Sequence, residues 1–195
     1  IQRLAINQRT NRRSISGMKF IKDILFFEIT TTGADVDKDN ILQLAAVLLD
    51  RDNLLEKGFF NAYIRVSYLD HIILEHAKLL RIEPLVLKKS QKIYDCIKKF
   101  HQSFGKEYLL ATHTLANALF LKHAFKKAVV QFDYDQHILD LWTLGYIYTL
   151  NYGLKKMPTV NTFFDYFKIK QINPYNALEK VRHEAEVFRH IIREV

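Results

Sequence analysis

A mixed α/β fold, a five-stranded sheet flanked by helices, is predicted for this 195-residue chain by three observations. Three β-patterned segments follow one another with short connections. Helical and strand-like segments then alternate. The chain closes on a long amphipathic stretch with an apolar stripe at helical spacing.

Each element has its own signal. Ile24-Leu25-Phe26-Phe27 is a short apolar run of β-formers, which predicts a buried strand that ends at Thr31-Thr32-Gly33. Asp35 to Asn40 is a polar turn, and Ile41 to Leu49 reads as a second strand joined to the first by a hairpin-like connection. Phe59 to Val66 alternates: Phe60, Ala62, Ile64 and Val66 against Asn61, Tyr63 and Arg65, the period of a half-buried strand. Ile72, Ile73, Ala77 and Leu80 then recur at helical spacing. Ser90 is the expected cap of a helix reaching Phe104, with Ile93, Ile97 and Phe100 on one face. Tyr108 to Thr112 fits a central strand. Leu119 to Val129 fits a helix with Leu119, Phe120, His123 and Ala124 inward and Lys122, Lys126 and Lys127 outward. Gln136 to Asp140 is a further short strand. Leu141 to Leu150 and Thr159 to Phe167 read as helices separated by Gly153 to Pro158. Asn176 to Val195 is the last helix, with Leu178, Val181, Ala185, Phe188 and Ile192 as its buried stripe and Asn173 or Asn176 as its cap.

The composition is that of a globular domain: 49% hydrophobic and 26% charged, with only 6 glycines and 3 prolines. Folding at this length buries roughly 70% of the chain surface. The lone Cys96 excludes a disulfide framework and a cysteine-based zinc site. No apolar run is long enough to span a membrane, and the start has no apolar core after its charges, so a reducing, cytoplasmic setting is expected. The net charge of +8 points to a polyanion. Half of it lies in residues 1–17, where Arg3, Arg9, Arg12 and Arg13 face no acid. That stretch is expected to be a disordered arm or an added leader ahead of Met18, leaving a domain over 18–195. Within that domain Lys122, Lys126 and Lys127, and Lys155 and Lys156, cluster as nucleic-acid contact candidates. Phe27, Tyr108 and Tyr175 are candidate stacking faces.

Five blocks in order carry a family resemblance. They are Phe27-Glu28-Ile29-Thr30-Thr31-Thr32-Gly33, Asn40 to Val47, Leu110 to Leu121, Ile138-Leu139-Asp140-Leu141 and Tyr175 to Arg182. They resemble, respectively, the Asp-x-Glu-Thr-Thr-Gly block, the second-strand Arg-Ile-Ile-Glu-Ile-Gly-Ala-Val block, the Val-Ala-His-Asn-Ala-x-Phe-Asp block, an Asp-Thr strand and His-x-Ala-Leu-x-Asp-Ala-Arg. These are the blocks of the proofreading-type, DEDDh 3′–5′ exonucleases of the ribonuclease H-like superfamily. The resemblance implies that superfamily's mixed sheet. It also implies a chemistry in which two divalent metals, about 4 Å apart, activate water against a phosphodiester.

Carried over position by position, the resemblance implies a degenerate centre. Four carboxylates and a general-base histidine would be needed, because hard cations take oxygen ligands. Their positions hold Glu28, Thr30, Asn117, Tyr175 and Lys180. Only Glu28 remains a carboxylate, a tyrosine with a pKa of about 10 is a poor base, and the Lys180 ammonium repels a metal. Asp23, His113, Glu179, His183 and Glu184 do not restore a quartet, and Lys180 is expected to pair with Glu28 in place of the metal. No cofactor is expected, with Mg²⁺ or Mn²⁺ relevant only if catalysis survives. The expected function is an exonuclease-like domain without hydrolysis that binds single-stranded nucleic acid, with Lys180 contacting a phosphate rather than a metal. The alternatives are an interaction or scaffolding pseudoenzyme, as a homodimer or with a protein partner, and an active metal-dependent 3′–5′ exonuclease with an altered site.

Overall fold

The computed structural model describes residues 20–153, 159–170 and 173–194. The arm over 1–17, Lys155 and Lys156 lie outside the described residues. The strands are β1 (Ile24–Thr31), β2 (Ile41–Leu49), β3 (Glu56–Tyr63), β4 (Leu109–Thr112) and β5 (Leu139–Asp140). The helices are α1 (His71–Leu80), α2 (Pro84–Lys89), α3 (Ile93–Phe104), α4 (Leu115–Lys127), α5 (Leu141–Tyr152), α6 (Val160–Phe167) and α7 (Ala177–Glu194). The sheet runs β3-β2-β1-β4-β5, with β1–β2 and β2–β3 antiparallel and β1–β4 and β4–β5 parallel. The predicted mixed five-stranded sheet is therefore present.

Alternation along β1 divides the core. Leu25, Phe27 and Ile29 join α3 and α4 in one cluster, while Ile24 and Phe26 join α5, α6 and α7 in another on the opposite face. The same parity carries Glu28 and Thr30, at the end of β1, to the α7 side. At that end of the sheet β1 and β4 are parallel neighbours, so the loop after β4 and the first turn of α4 project beside Glu28.

Several local expectations change. Ser90 does not cap α3: it ends α2, and its hydroxyl donates to the Val86 carbonyl at 2.6 Å. Lys92 precedes α3 instead, without a side-chain cap. Pro84 sits in the first turn of α2, a short extra helix between the two that the sequence pattern predicted. The third strand lies three residues earlier than its alternation suggested, and Ile64 contributes only an isolated bridge to Gln91. Helix α4 begins at Leu115, four residues before the sequence pattern; its inward face is Asn117, Ala118, Phe120, Leu121, Ala124 and Phe125, and Leu119 is 60% exposed. Phe27 is fully buried and offers no stacking face, and Tyr108 packs against the core.

Gly145 on α5 lets α6 come close. A Cβ there would fall 2.5 Å from the Phe163 ring. This contact holds α6 against α5 on the α7 face, where α6 forms one wall of a cleft.

Candidate active-site centre

The centre is assembled by three elements. Glu28 is 3% exposed. One of its oxygens accepts from the Lys180 ammonium on α7. The other accepts the Asn117 amide of α4 at 2.6 Å. The Asn117 Nδ2 also donates to the buried Thr112 hydroxyl at 3.0 Å. Glu28, Asn117 and Lys180 are thus brought together, 89 and 152 residues apart along the chain.

The other two positions are arranged differently. The Thr30 hydroxyl donates to the Tyr175 main-chain carbonyl at 3.3 Å. Tyr175 itself is 51% exposed, its amide bound by the Asn173 side chain at 3.1 Å. What approaches the centre at position 175 is backbone, not the phenol.

Helix α7 is placed by a buried polar clasp. Gln43, fully buried on β2, accepts from the Ala177 amide at 2.9 Å and donates to Asn61 at 2.8 Å. The Asn176 side chain accepts from the Leu178 and Glu179 amides at 3.0 and 3.3 Å, which satisfies donors at the helix start. The expectation of Asn176 as cap is met, and with the N-terminus pinned, Lys180 one turn on is aimed at Glu28.

Glu184 is the residue the sequence reading undervalued. It is fully buried one turn beyond Lys180, 3.8 Å from the ammonium, and neither carboxyl oxygen has a hydrogen-bond partner. Its spacing of four from Lys180 was the available signal; that it points into the interior depends on how α7 is seated on the sheet. Burial raises its pKa well above the usual carboxylate range, the Glu28 charge adds to this, and Lys180 offsets only part. Glu184 is therefore a buried acid whose proton is held more tightly than that of an exposed carboxyl. Burial likewise raises the Glu28 carboxyl, with Lys180 and Asn117 acting the other way. Burial disfavours charge on Lys180, but Glu28 and Glu184 outweigh it and raise its pKa, so the ammonium persists.

These residues do not suit a pair of divalent cations. Both Glu28 oxygens face N–H donors, Thr30 is turned to a carbonyl, and a cation stands between the two buried acids. Among the described residues no group of three or more His, Cys, Asp or Glu is placed to hold a metal ion.

Beside the centre lies a cleft of about 280 Å³ lined by His113, Thr159, Asn161, Phe164, Pro174, Lys180 and His183. Burial lowers the His113 pKa to about 4, with Lys180 pushing the same way and Asp140 opposing. Burial lowers His183 as well, against Glu179. The candidate contacts Lys122, Lys126 and Lys127 sit further along α4, about 7.5, 13.5 and 15 Å beyond Asn117 along the helix axis.

Order, sheet and site together define a ribonuclease H-like exonuclease domain. The structure is similar to cell-death related nuclease 4 (CRN-4), with a TM-score of 0.76 at 13% identity over 89% of this chain and 64% of that one. It is similar to E. coli Exonuclease I in complex with a dT13 oligonucleotide, at TM-score 0.70, 15% identity, 87% of this chain and 41% of that one. It also resembles the nuclease domain of 3′hExo, a DEDDh family member, bound to rAMP, at TM-score 0.68, 15% identity, 89% of this chain and 92% of that one. In sequence it is 25% identical over 169 residues to the PolC-type DNA polymerase III of Caldanaerobacter subterraneus subsp. tengcongensis, covering 85% of this chain and 11% of that polymerase. The Exonuclease (RNase T) family matches residues 27–188, and the chain belongs to it. No helix among the described residues is long and apolar enough to cross a membrane.

Proposed function

We propose that this domain binds single-stranded nucleic acid beside Lys180 and does not hydrolyse it. One observation carries the reading: the Lys180 ammonium sits on Glu28, where its relatives' chemistry needs a metal. The ion pair compensates the Glu28 charge, and the N–H donor on each of its oxygens competes with a dication for them. The cleft persists, and the likeness to an exonuclease structure holding dT13 supports a single strand as its ligand. Lys122, Lys126 and Lys127 would supply contacts to the strand's backbone, and Lys180 would form the floor of the cleft.

The test has two arms. Incubation with labelled single strands in Mg²⁺ and in Mn²⁺ is expected to leave them intact; metal-dependent shortening that disappears in Glu28→Ala would establish a working nuclease with an altered site. Fluorescence titration of short single strands is expected to show binding that weakens steeply with salt. No affinity even at low salt would dispose of the nucleic-acid reading.

A second reading, a protein-interaction module, is favoured by the outward face of α5. Trp142 and Tyr146 stack there with centroids 5.4 Å apart, and Ile147 and Leu150 beside them are exposed. A dimer mass in solution that reverts to monomer in Leu150→Glu would favour it.

A further inference from the structure

We propose that the groove between α4 and the chain leading into β5 docks a short extended segment of a partner protein, one apolar side chain with acidic ones beside it. The groove is lined by other residues than the cleft at Lys180, and its docking does not depend on the nucleic-acid reading above.

The outward face of α4 changes character along its length. Leu115, Ala118, Leu119 and Lys122 follow one another at helical spacing and form one wall. Gln136 and Ile138 stand opposite, just before β5. The groove holds about 420 Å³, within the range of ligand sites. Leu115 and Leu119 are 57% and 60% exposed, so its floor is aliphatic and open to solvent. Beyond them the face is cationic, with Lys122 followed by Lys126 and Lys127. The Lys122 ammonium lies 5.5 Å from the Phe132 ring. All 21 Asp and Glu residues of the chain fall among the described residues, and none of them forms an ion pair with these three lysines. The acids nearest the groove along the chain are engaged: Asp135 accepts the His137 amide at 2.9 Å, and Asp140 accepts the Thr143 amide at 2.8 Å. The complement of this surface is an apolar group next to negative charge.

Two features favour a peptide over a nucleic-acid strand. No phenyl, phenol or indole ring lines the groove, so a base finds no such ring to stack on, whereas a Leu, Ile or Met side chain finds aliphatic contact. β5 is the last strand of the sheet and pairs only with β4, so its outer side is open to an added extended chain. The helix also sets the spacing. Lys122 and Lys126 lie about 4.5 and 10.5 Å beyond Leu119 along the α4 axis. An extended peptide advances about 3.3 Å per residue, so acids one to three residues from the apolar anchor reach the lysines. A segment docked in this way covers the lysines that the nucleic-acid reading gives to the strand, and the two ligands exclude one another.

Fluorescence anisotropy with the full chain provides the test. The probes are labelled, end-capped nine-residue Gly/Ser peptides carrying one Leu and a pair of Glu, set one, two or three residues apart. At least one is expected to bind, about tenfold more tightly than the same peptide with Ser in place of Leu. It is expected to bind severalfold more tightly than the peptide with Gln in place of Glu, a difference that fades at raised salt. Leu119→Glu and Lys122→Glu, both at outward positions of α4, are each expected to weaken binding about tenfold with thermal unfolding unchanged. Leu150→Glu on α5 is expected to leave it unaffected. Binding that survives loss of the peptide's Leu, or that survives Leu119→Glu, is general attraction to lysines and overturns the inference. Silence of all three peptides at low salt also overturns it. If a labelled oligo-dT strand then binds and Leu119→Glu weakens it tenfold, the groove belongs to the strand. A bound peptide with no binding of oligo-dT upholds the inference and ends the nucleic-acid reading. Where both bind, displacement of the peptide by unlabelled oligo-dT supports mutual exclusion, and its absence overturns that part.

Discussion

The two faces of the sheet are made by the same strand and hold opposite interiors. On the α3–α4 side, Leu25, Phe27 and Ile29 of β1 meet a mesh of aromatic rings, with Phe100 packed edge-on to Phe60, Phe104, Phe125 and Tyr134. On the α7 side, Ile24 and Phe26 pack on Phe188, and the next inward position is Glu28. The first face gains from every ring it buries and asks only for complementary shape. The second buries charge, and each charge there is tolerable only while its partner remains. Removing one partner is costly; removing both together is not.

The largest effect expected from breaking that contrast is at Lys180. Lys180→Ala strands Glu28 and is expected to cost about 3–5 kcal/mol in urea unfolding. The loss should be greater at alkaline than at mildly acidic pH, because a buried Glu28 without its cation is stable only when protonated. The double variant Glu28→Leu/Lys180→Met is expected to recover most of it. Phe100→Ala on the other face should cost a similar ~3–5 kcal/mol with no pH dependence and no rescuing partner. Equal pH profiles for the two single variants would show that charge does not distinguish the faces.

His113 sharpens the comparison next. Its folded pKa is about 4, below its unfolded value, so the unfolded chain takes up the proton first as pH falls. The stability this neutral ring permits is whole above pH 6.5 and is lost progressively toward pH 4, on the order of 3 kcal/mol at the limit. His113→Asn should flatten that acid limb in denaturation series. Glu184 works in the opposite sense. Its folded pKa is raised, so its contribution is present below about pH 4.5 and is lost as pH rises toward the folded value. Glu184→Gln should remove that decline.

The smallest effect concerns the clasp. Gln43→Ala leaves the Ala177 amide without its acceptor and is expected to cost about 1–3 kcal/mol. Hydrogen exchange should quicken at the first turn of α7 and remain unchanged in α3.

Much of this was readable along the chain. The five blocks in order led to the family, and the mixed sheet followed from the run of patterned segments. The missed details share a cause. Ser90 has the chemistry of a cap but ends the helix before the one it was assigned to, because Pro84 starts a separate α2. Leu119 looks inward by hydrophobicity, yet α4 starts four residues earlier and the phase of the buried face turns it outward. Phe27 has a stacking ring, but its parity on β1 sends it into the aromatic core.

The sequence by itself determined the chemistry available: one carboxylate, a hydroxyl, an amide, a phenol and an ammonium at the five family positions. Side-chain type is a local property, and no fold can turn Lys180 into a metal ligand. Only the tertiary structure decided what those groups do to one another. It seated α7 so that Lys180 closes on Glu28, buried Glu184 one turn further on and brought His113 and His183 to the walls of one cleft. Desolvation and Coulomb interactions depend on distance and depth through space, and spacing along the chain encodes neither.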